Sequence, residues 1–325
     1  MAVTVRLGVV GAGRIACDHL KAITGLQNVE VAGITSRTMT KAQDLGAQFA
    51  IPVVTESLSE LVQRTRPDGL LLLVSVDQIY HATCAAFEYG IPLFLEKPPG
   101  LTPTEAYHLE ELARQYQIGT MVGYNRRYFA NFHQGIRIIR DHGPLMGILV
   151  EGHERLAKVR SAGFHPQHVL NNWVYANATH TIDLLRFFGG ELKEFYPVAH
   201  SYQETLGDQF AAVATFSSGT MGTYVSHWLS PGGWRVVLCG NGVTVEFKPL
   251  EAGLWTDRTL QAHEIEADPC DLQYRPGFFR QMEAFCDLIR DGKLAWPGQD
   301  LAGACETMRV AEQLVSAVRN RAGKD

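Results

Sequence analysis

Two short strings, set about 85 residues apart, carry most of the chemistry in this sequence: Gly11-Ala12-Gly13-Arg14-Ile15-Ala16 and Phe94-Leu95-Glu96-Lys97-Pro98-Pro99-Gly100. A glycine turn joining a strand to a helix can hold a pyrophosphate. Gly11 would make the tight turn, Gly13 would let the backbone approach the phosphates, and Ala16 would let the helix pack close to the sheet. The free N–H groups of the helix N-terminus would then face the anion. Lys97 follows an apolar, strand-like run, and in an open parallel sheet ligands lie beyond the carboxyl ends of the strands. That places Lys97 near the nicotinamide end of the same dinucleotide. Partly shielded from water and beside a cationic ring, its ammonium would have a lowered pKa and could exchange a proton with a substrate hydroxyl or carbonyl oxygen. Glu96 would orient it, and Pro98 and Pro99 would stiffen the loop. Either string alone is common, and its plain counterpart is a tight βα turn or a surface lysine after an edge strand. Together, in this order, they point to a dehydrogenase or reductase.

The end of the second strand bears on cofactor choice. An acidic residue there would bind both ribose hydroxyls of NAD. The sequence instead has Thr35-Ser36-Arg37, with Lys41 one turn later. Ser36 can donate to a 2′-phosphate, and Arg37 and Lys41 can neutralise it. This favours NADP(H). If Arg37 stacks on the adenine or faces solvent, NAD(H) is usable as well. Arg14, Ile15, Ser75, Glu96, Lys97, Asn125 and Arg126 complete the candidate cofactor contacts.

The elements that must position these groups follow from hydrophobic periodicity. Apolar runs at 7–10, 29–34, 70–74, 92–95 and 120–122 alternate with helical stretches near 14–25, 39–48, 77–89 and 103–117. The run 70–74 is apolar at every position, as expected of a parallel strand covered by helices on both faces. The alternation predicts an α/β Rossmann domain with a doubly wound parallel sheet over residues 1–122. After Gly123 the texture changes. Helices are expected at 128–141, 177–188, 276–291 and 299–320, and the stretch 193–248 is rich in strands, with hairpin turns at Ser217-Ser218-Gly219 and Gly240-Asn241-Gly242. Residues 123–325 therefore read as an α+β substrate-binding and oligomerisation domain with an open, mostly antiparallel sheet. Residues 124–127 would form the hinge, and the helix at 299–320 could pack back on the first domain.

Composition bounds the rest. The chain has 325 residues, 46% hydrophobic and 19% charged, with a net charge of −5. That is a globular composition with no electrostatic case for nucleic acid or membrane lipid. No run reaches the length of a membrane span and no secretory signal pattern is present. The six cysteines are scattered with no Cys-x-x-Cys pair, so they are expected to be reduced in a cytoplasmic protein. His165-Pro166-Gln167-His168 lacks the spacing and acidic partner of a metal site, and no metal is expected.

These features resemble the Gfo/Idh/MocA oxidoreductase family over nearly the whole chain. The resemblance rests on Gly11-Ala12-Gly13, on Glu96-Lys97-Pro98 as its most specific element, and on Gly123-Tyr124-Asn125-Arg126-Arg127-Tyr128. Further support comes from His180-Thr181-Ile182-Asp183-Leu184-Leu185-Arg186-Phe187 and the closing helices. It implies a Rossmann domain followed by a large open sheet, a substrate cleft, and a homodimer or homotetramer built on the sheet's outer face. It also implies NAD(P)-linked oxidation or reduction of sugars, inositols or nucleotide-linked sugars. By position, Lys97 matches the family's catalytic lysine and His180 its second-domain acid/base or substrate-contacting histidine. Many members carry an aspartate four residues before that histidine. Here the position is Ala176, so Lys97 would act alone or with His180 or Tyr175. Trp173 and Tyr175 offer rings to a sugar face, and Arg155 could hold a substrate carboxylate or phosphate.

The sequence therefore reads as an NADP(H)-preferring oxidoreductase acting on a sugar-like or polyhydroxylated small molecule, with Lys97 as proton donor or acceptor. Two alternatives stay open: an NAD-dependent glycoside-cleaving enzyme on the same fold, and a non-catalytic dinucleotide-binding regulator.

Overall fold

A computed structural model describes residues 4–322. The chain divides into two compact units. The first runs to Tyr128 and includes Cys270–Cys305; the second holds Phe129–Pro269 and the chain from Glu306 onward.

The first unit is built on strands β1 (Val5–Val10), β2 (Val29–Thr35), β3 (Val54–Thr55), β4 (Gly69–Leu72), β5 (Leu93–Leu95) and β6 (Thr120–Val122). They form one sheet in the order β3-β2-β1-β4-β5-β6, with every pairing parallel. Helices α1 (Arg14–Ile23), α2 (Met39–Gln48), α3 (Leu58–Thr65), α4 (Ile79–Phe87) and α5 (Pro103–Tyr116) make the crossovers. The apolar run in β4 behaves as a doubly covered strand should. Leu70, Leu71 and Leu72 are fully buried, each contributing about 2 kcal/mol. Leu71 and Leu73 join one core with α1 and Phe278, Met282 and Phe285. Leu70 and Leu72 join the core on the other face with Ile79, Phe87 and Leu109. The strand order reverses between β1 and β4, which opens a ligand crevice at their carboxyl ends.

The second unit continues with α6 (Ala130–His142), β7 (Gly147–Gly152), α7 (Leu156–Ala162), α8 (Gln167–Asn171), a π-helical turn (Val174–Ala178) and α9 (Thr179–Gly189). Strands β8 (Leu192–His200), β9 (Gln209–Phe216), β10 (Met221–His227), β11 (Trp234–Gly240), β12 (Val243–Phe247), β13 (Gly253–Thr256) and β14 (Ala262–Ile265) follow. These strands and β7 form an eight-stranded sheet ordered β14-β13-β12-β11-β7-β10-β9-β8. Only β7 and β10 pair in parallel. Both expected hairpin turns are present, joining β9 to β10 and β11 to β12. Period-two alternation buries Phe210, Ala212, Ala214 and Phe216 of β9 on one face. On that face α9 packs on β7 and β10, and α6 on β11 and β12. The opposite face carries exposed Tyr196, Val198, Val213 and Met221, with Tyr196 directly across from Val213 in the ladder.

After β14 come α10 (Pro269–Gln273), α11 (Phe278–Asp291) and α12 (Leu301–Ala322). The division between units falls inside α12, after Cys305. Among the described residues no helix is long and apolar enough to cross a membrane.

Candidate functional site

The glycine turn sits in the crevice at the end of β1. Gly11 has φ +112°, and a Cβ on it would stand 2.4 Å from the Leu73 carbonyl oxygen, so only glycine fits. Gly13 is the N-cap of α1, where no side chain caps the helix and no acid occupies the first turn. Nothing lies within 4 Å of where its Cβ would be. The helix N-terminus therefore offers its N–H groups and partial positive charge to open space, an arrangement suited to a phosphate. The turn opens into a pocket of about 490 Å³ lined by Gly11, Gly13, Ser36, Arg37, Lys41 and Ser75 among others. These residues, expected from the sequence to bind cofactor, are brought together. Arg14 and Ile15 open α1 just beyond this lining, with Arg14 exposed.

At the end of β2 the Ser36 hydroxyl accepts a hydrogen bond from the Thr38 amide at 3.3 Å, which leaves its own O–H to donate. Arg37 and Lys41 are exposed, and neither makes an ion pair among the described residues. The pocket also contains Glu56, Gln78 and His81, which no motif in the sequence marks. Shape, open phosphate corner and unneutralised cations together fit a dinucleotide.

Lys97 is half-buried on the loop leaving β5, and its peptide bond to Pro98 is cis. Glu96, Lys97, Asn125 and Arg126 lie outside the pocket lining. The loop is held on both sides of the lysine. Before it, the Glu96 carboxylate accepts a 2.6 Å hydrogen bond from Nε2 of His19, a fully buried residue on α1. After it, Glu105 accepts from the Leu101 amide at 2.6 Å and closes a capping box with Thr102 at the start of α5, a standard way to fix a helix entry. The His19 ring packs against Phe94 and Phe278 at centroid distances of 5.1 and 4.7 Å. Asn125 is buried and donates to the Pro276 carbonyl at 3.1 Å, while Arg126 donates to the Asn125 side-chain oxygen at 3.3 Å.

The second unit holds a cavity of about 710 Å³ beyond the end of β7. Of the residues assigned to substrate, Arg155 and Trp173 line it; Tyr175 and His180 are buried and do not. His180, at the start of α9, contacts the ring of Trp234, a cavity wall residue, at 5.7 Å. Asp183, three residues on, engages α12. Its carboxylate accepts from Thr307 at 3.1 Å, and that hydroxyl in turn accepts from Arg186 at 2.7 Å.

The cavity also contains a carboxylate that sequence reasoning missed. Glu154 is 4% exposed, and its Oε2 accepts from Trp173 Nε1 and Asn177 Nδ2, both at 2.9 Å. The π-helical turn brings Trp173 and Asn177 to the same oxygen. Glu154 lies 22 positions before Ala176 in sequence, so no helical spacing could have revealed it. His153, beside it, stacks on His227 at 5.5 Å and accepts the His227 amide on Nδ1 at 3.0 Å. Burial pushes its pKa down, helped by His227 and Lys248 and opposed by Glu151. Burial also pushes the Tyr224 hydroxyl up, to about 12. Among the described residues no three potential metal ligands cluster.

Comparison with known proteins agrees with this architecture. Residues 5–124 match the family model for an oxidoreductase family with an NAD-binding Rossmann fold, and residues 155–246 match the GFO/IDH/MocA C-terminal domain. A 4-carboxy-2-hydroxymuconate-6-semialdehyde dehydrogenase from a Sphingobium species is 22% identical, covering 95% of this chain and 97% of that protein. An inositol 2-dehydrogenase from an Arthrobacter species is 27% identical over 59% of this chain and 56% of its own length. Among solved structures, a dehydrogenase from Chromobacterium violaceum superposes with a TM-score of 0.84 at 19% identity, covering 99% of this chain and 97% of that one. With the two family models matching successive parts of the chain, each falling largely in one of its structural units, the chain belongs to the Gfo/Idh/MocA oxidoreductase family.

Proposed function

We propose that the protein is an NADP(H)-preferring oxidoreductase acting on a sugar-like or polyhydroxylated small molecule, with Lys97 exchanging the proton that accompanies hydride transfer. The observation that carries this reading is the position of Lys97. It sits on a loop fixed on both sides, at the carboxyl end of a strand two places from the glycine turn. The nicotinamide, when bound, takes up or gives the hydride.

The chain's own residues do the rest. The α1 N-terminus and Gly13 hold the pyrophosphate, and Ser36, Arg37 and Lys41 hold a 2′-phosphate. Lys97 Nζ gives a proton to a substrate carbonyl oxygen in reduction and takes it from the hydroxyl in oxidation. Holding the loop that carries Lys97 before substrate arrives lowers the entropic cost of reaching the reactive geometry. His180 is assigned the second acid–base role, and Trp173 and Trp234 supply flat apolar surface for C–H faces. Of the relatives, one is named for inositol and another for a carboxylated semialdehyde, which supports an oxygen-rich small molecule as substrate.

The test is NADP⁺ and NAD⁺ reduction across a panel of polyols, sugars and sugar acids, with Lys97→Ala as control. NADP⁺-linked turnover that disappears in the variant supports the reading. A protein that binds NADP⁺ and turns over nothing would favour a non-catalytic role. The exposed apolar face around Tyr196 and Val213 is in this reading where copies of the chain meet, which light scattering of the purified protein checks.

A further inference from the structure

The ionisable residues lining the cavity of the second unit are Glu151, His153, Glu154, Arg155, Lys248 and Glu251. They separate by what already engages them. Glu151 accepts from Arg235 at 3.1 Å, and Arg235 is held at its other edge by Glu246 at 2.6 Å. Glu154 is held by Trp173 and Asn177. Two of the three acids are thus committed to protein partners.

The basic residues are not. Arg155 spends Nε on the Gly232 carbonyl at 2.8 Å. Among the described residues nothing takes its two Nη groups, and nothing takes the Lys248 ammonium. His153 accepts on Nδ1 from the His227 amide, so its proton sits on Nε2, which has no acceptor among the described residues. Lys248 lines the same cavity as His153. The groups facing a ligand therefore include three donors, two of them permanent cations, with the Glu251 carboxylate as an acceptor beside them. The walls beside them, Trp173, Trp234 and Leu250, are apolar, and a charge-assisted bond in such surroundings is stronger than one in open water.

We infer that this cavity binds an anionic group of the substrate, a carboxylate or a phosphate, through Arg155, Lys248 and His153, leaving Glu251 to accept from a substrate hydroxyl. The inference rests on the proposed redox reading and narrows it: the preferred substrates are acidic members of the polyhydroxylated class. Arg155 presents two parallel N–H groups suited to a pair of oxygens on one carbon or phosphorus, and Lys248 adds a point charge.

The experiment compares matched substrates on the intact enzyme with saturating NADP⁺: galactonate against galactitol, and glucuronate against glucose 6-phosphate and glucose. The charged member should be favoured at least about tenfold in kcat/KM. Arg155→Ala and Lys248→Ala should each remove about tenfold of that preference, read as the ratio of charged to neutral kcat/KM and seen mainly as a raised KM for the charged member, and Arg155→Lys should restore part of it. Glucuronate above glucose 6-phosphate assigns a carboxylate, and the reverse order a phosphate. Neutral substrates turned over as well as acidic ones would overturn the inference and leave the redox reading standing. If no substrate is turned over, the redox reading fails. The inference is then decided by equilibrium binding of glucuronate and glucose 6-phosphate, read from tryptophan fluorescence. Saturable binding weakened by Arg155→Ala supports it, and absent or unaltered binding overturns it.

Discussion

His19 Nε2 and Glu96 Oε1 lie 2.6 Å apart, joining the middle of α1 to the residue before Lys97. Glu96 is also packed in place, its Oε1 only 3.3 Å from where a Cβ on Gly123 would stand. The contact makes His19 a positioning residue. Replacing it with alanine removes the donor from a largely buried carboxylate and the ring from between Phe94 and Phe278, at a cost of about 3 kcal/mol. We expect His19→Ala to lower kcat more than it changes the KM for NADP⁺, and His19→Gln, which retains a donor, to recover part of kcat. A purely structural role would lower the melting temperature and active fraction without altering kcat per folded molecule.

The two glycines of the turn should fail differently. Gly11→Ala places a methyl against the Leu73 carbonyl at a positive φ, and should destabilise the fold by about 3 kcal/mol. Gly13→Ala meets no protein atom. Alanine is a poorer N-cap than glycine but also restricts the unfolded chain, so the variant's stability should fall by no more than about 1 kcal/mol, while its affinity for NADP⁺ falls at least about tenfold as the methyl occupies the phosphate's approach. Melting curves and cofactor titrations of both variants separate the two effects.

Cofactor choice should follow the end of β2. Arg37→Ala is expected to raise the KM for NADPH about tenfold and leave that for NADH unchanged. Ser36→Asp should reverse the preference, because a carboxylate there repels a 2′-phosphate and accepts from ribose hydroxyls. The ratio of kcat/KM for the two cofactors is the readout. An unaltered ratio in both variants would remove the basis for NADP preference.

His153 gives a pH dependence of stability. Its folded pKa lies below the ordinary 6.5, so between 6.5 and the folded value the unfolded chain holds a proton that the folded chain does not. Stability from this group is complete above about 6.5 and is lost as pH falls through that window. Protonation of Nδ1 also ends its bond from the His227 amide. The melting temperature of the parent should therefore fall more steeply below pH 6.5 than that of His153→Asn, which cannot titrate and retains an acceptor. Equal slopes would contradict this.

Much of the scaffold was legible in the sequence because its elements announce themselves locally. The uniformly apolar 70–74 run and the hairpin turns at 217–219 and 240–242 each lie within one window. Short strands without a continuous apolar run were not legible: β3 is two residues long, β13 reads Gly253-Leu254-Trp255-Thr256 and β14 Ala262-His263-Glu264-Ile265. Helix α3 lies outside the expected elements although Ser57-Leu58-Ser59-Glu60 carries a capping signal, and Ser57 does accept from the Glu60 amide. The site divides the same way. Gly11, Gly13, Ser36, Arg37 and Lys41 were legible because βα geometry ties them to strand ends. His19 with Glu96, 77 residues apart, and Glu154 with Asn177, 23 apart, were not. Nothing local marks a buried histidine or glutamate whose partner arrives by tertiary folding.

The central claim is that the Lys97 ammonium handles the proton of a hydride-transfer reaction. Its most direct test is steady-state NADP⁺ reduction by Lys97→Ala on whichever substrate the parent oxidises, alongside NADP⁺ affinity measured by fluorescence. The account predicts a fall in kcat of about 10³-fold with cofactor affinity essentially unchanged. Turnover equal to the parent's, with the fold and cofactor binding intact, would contradict it.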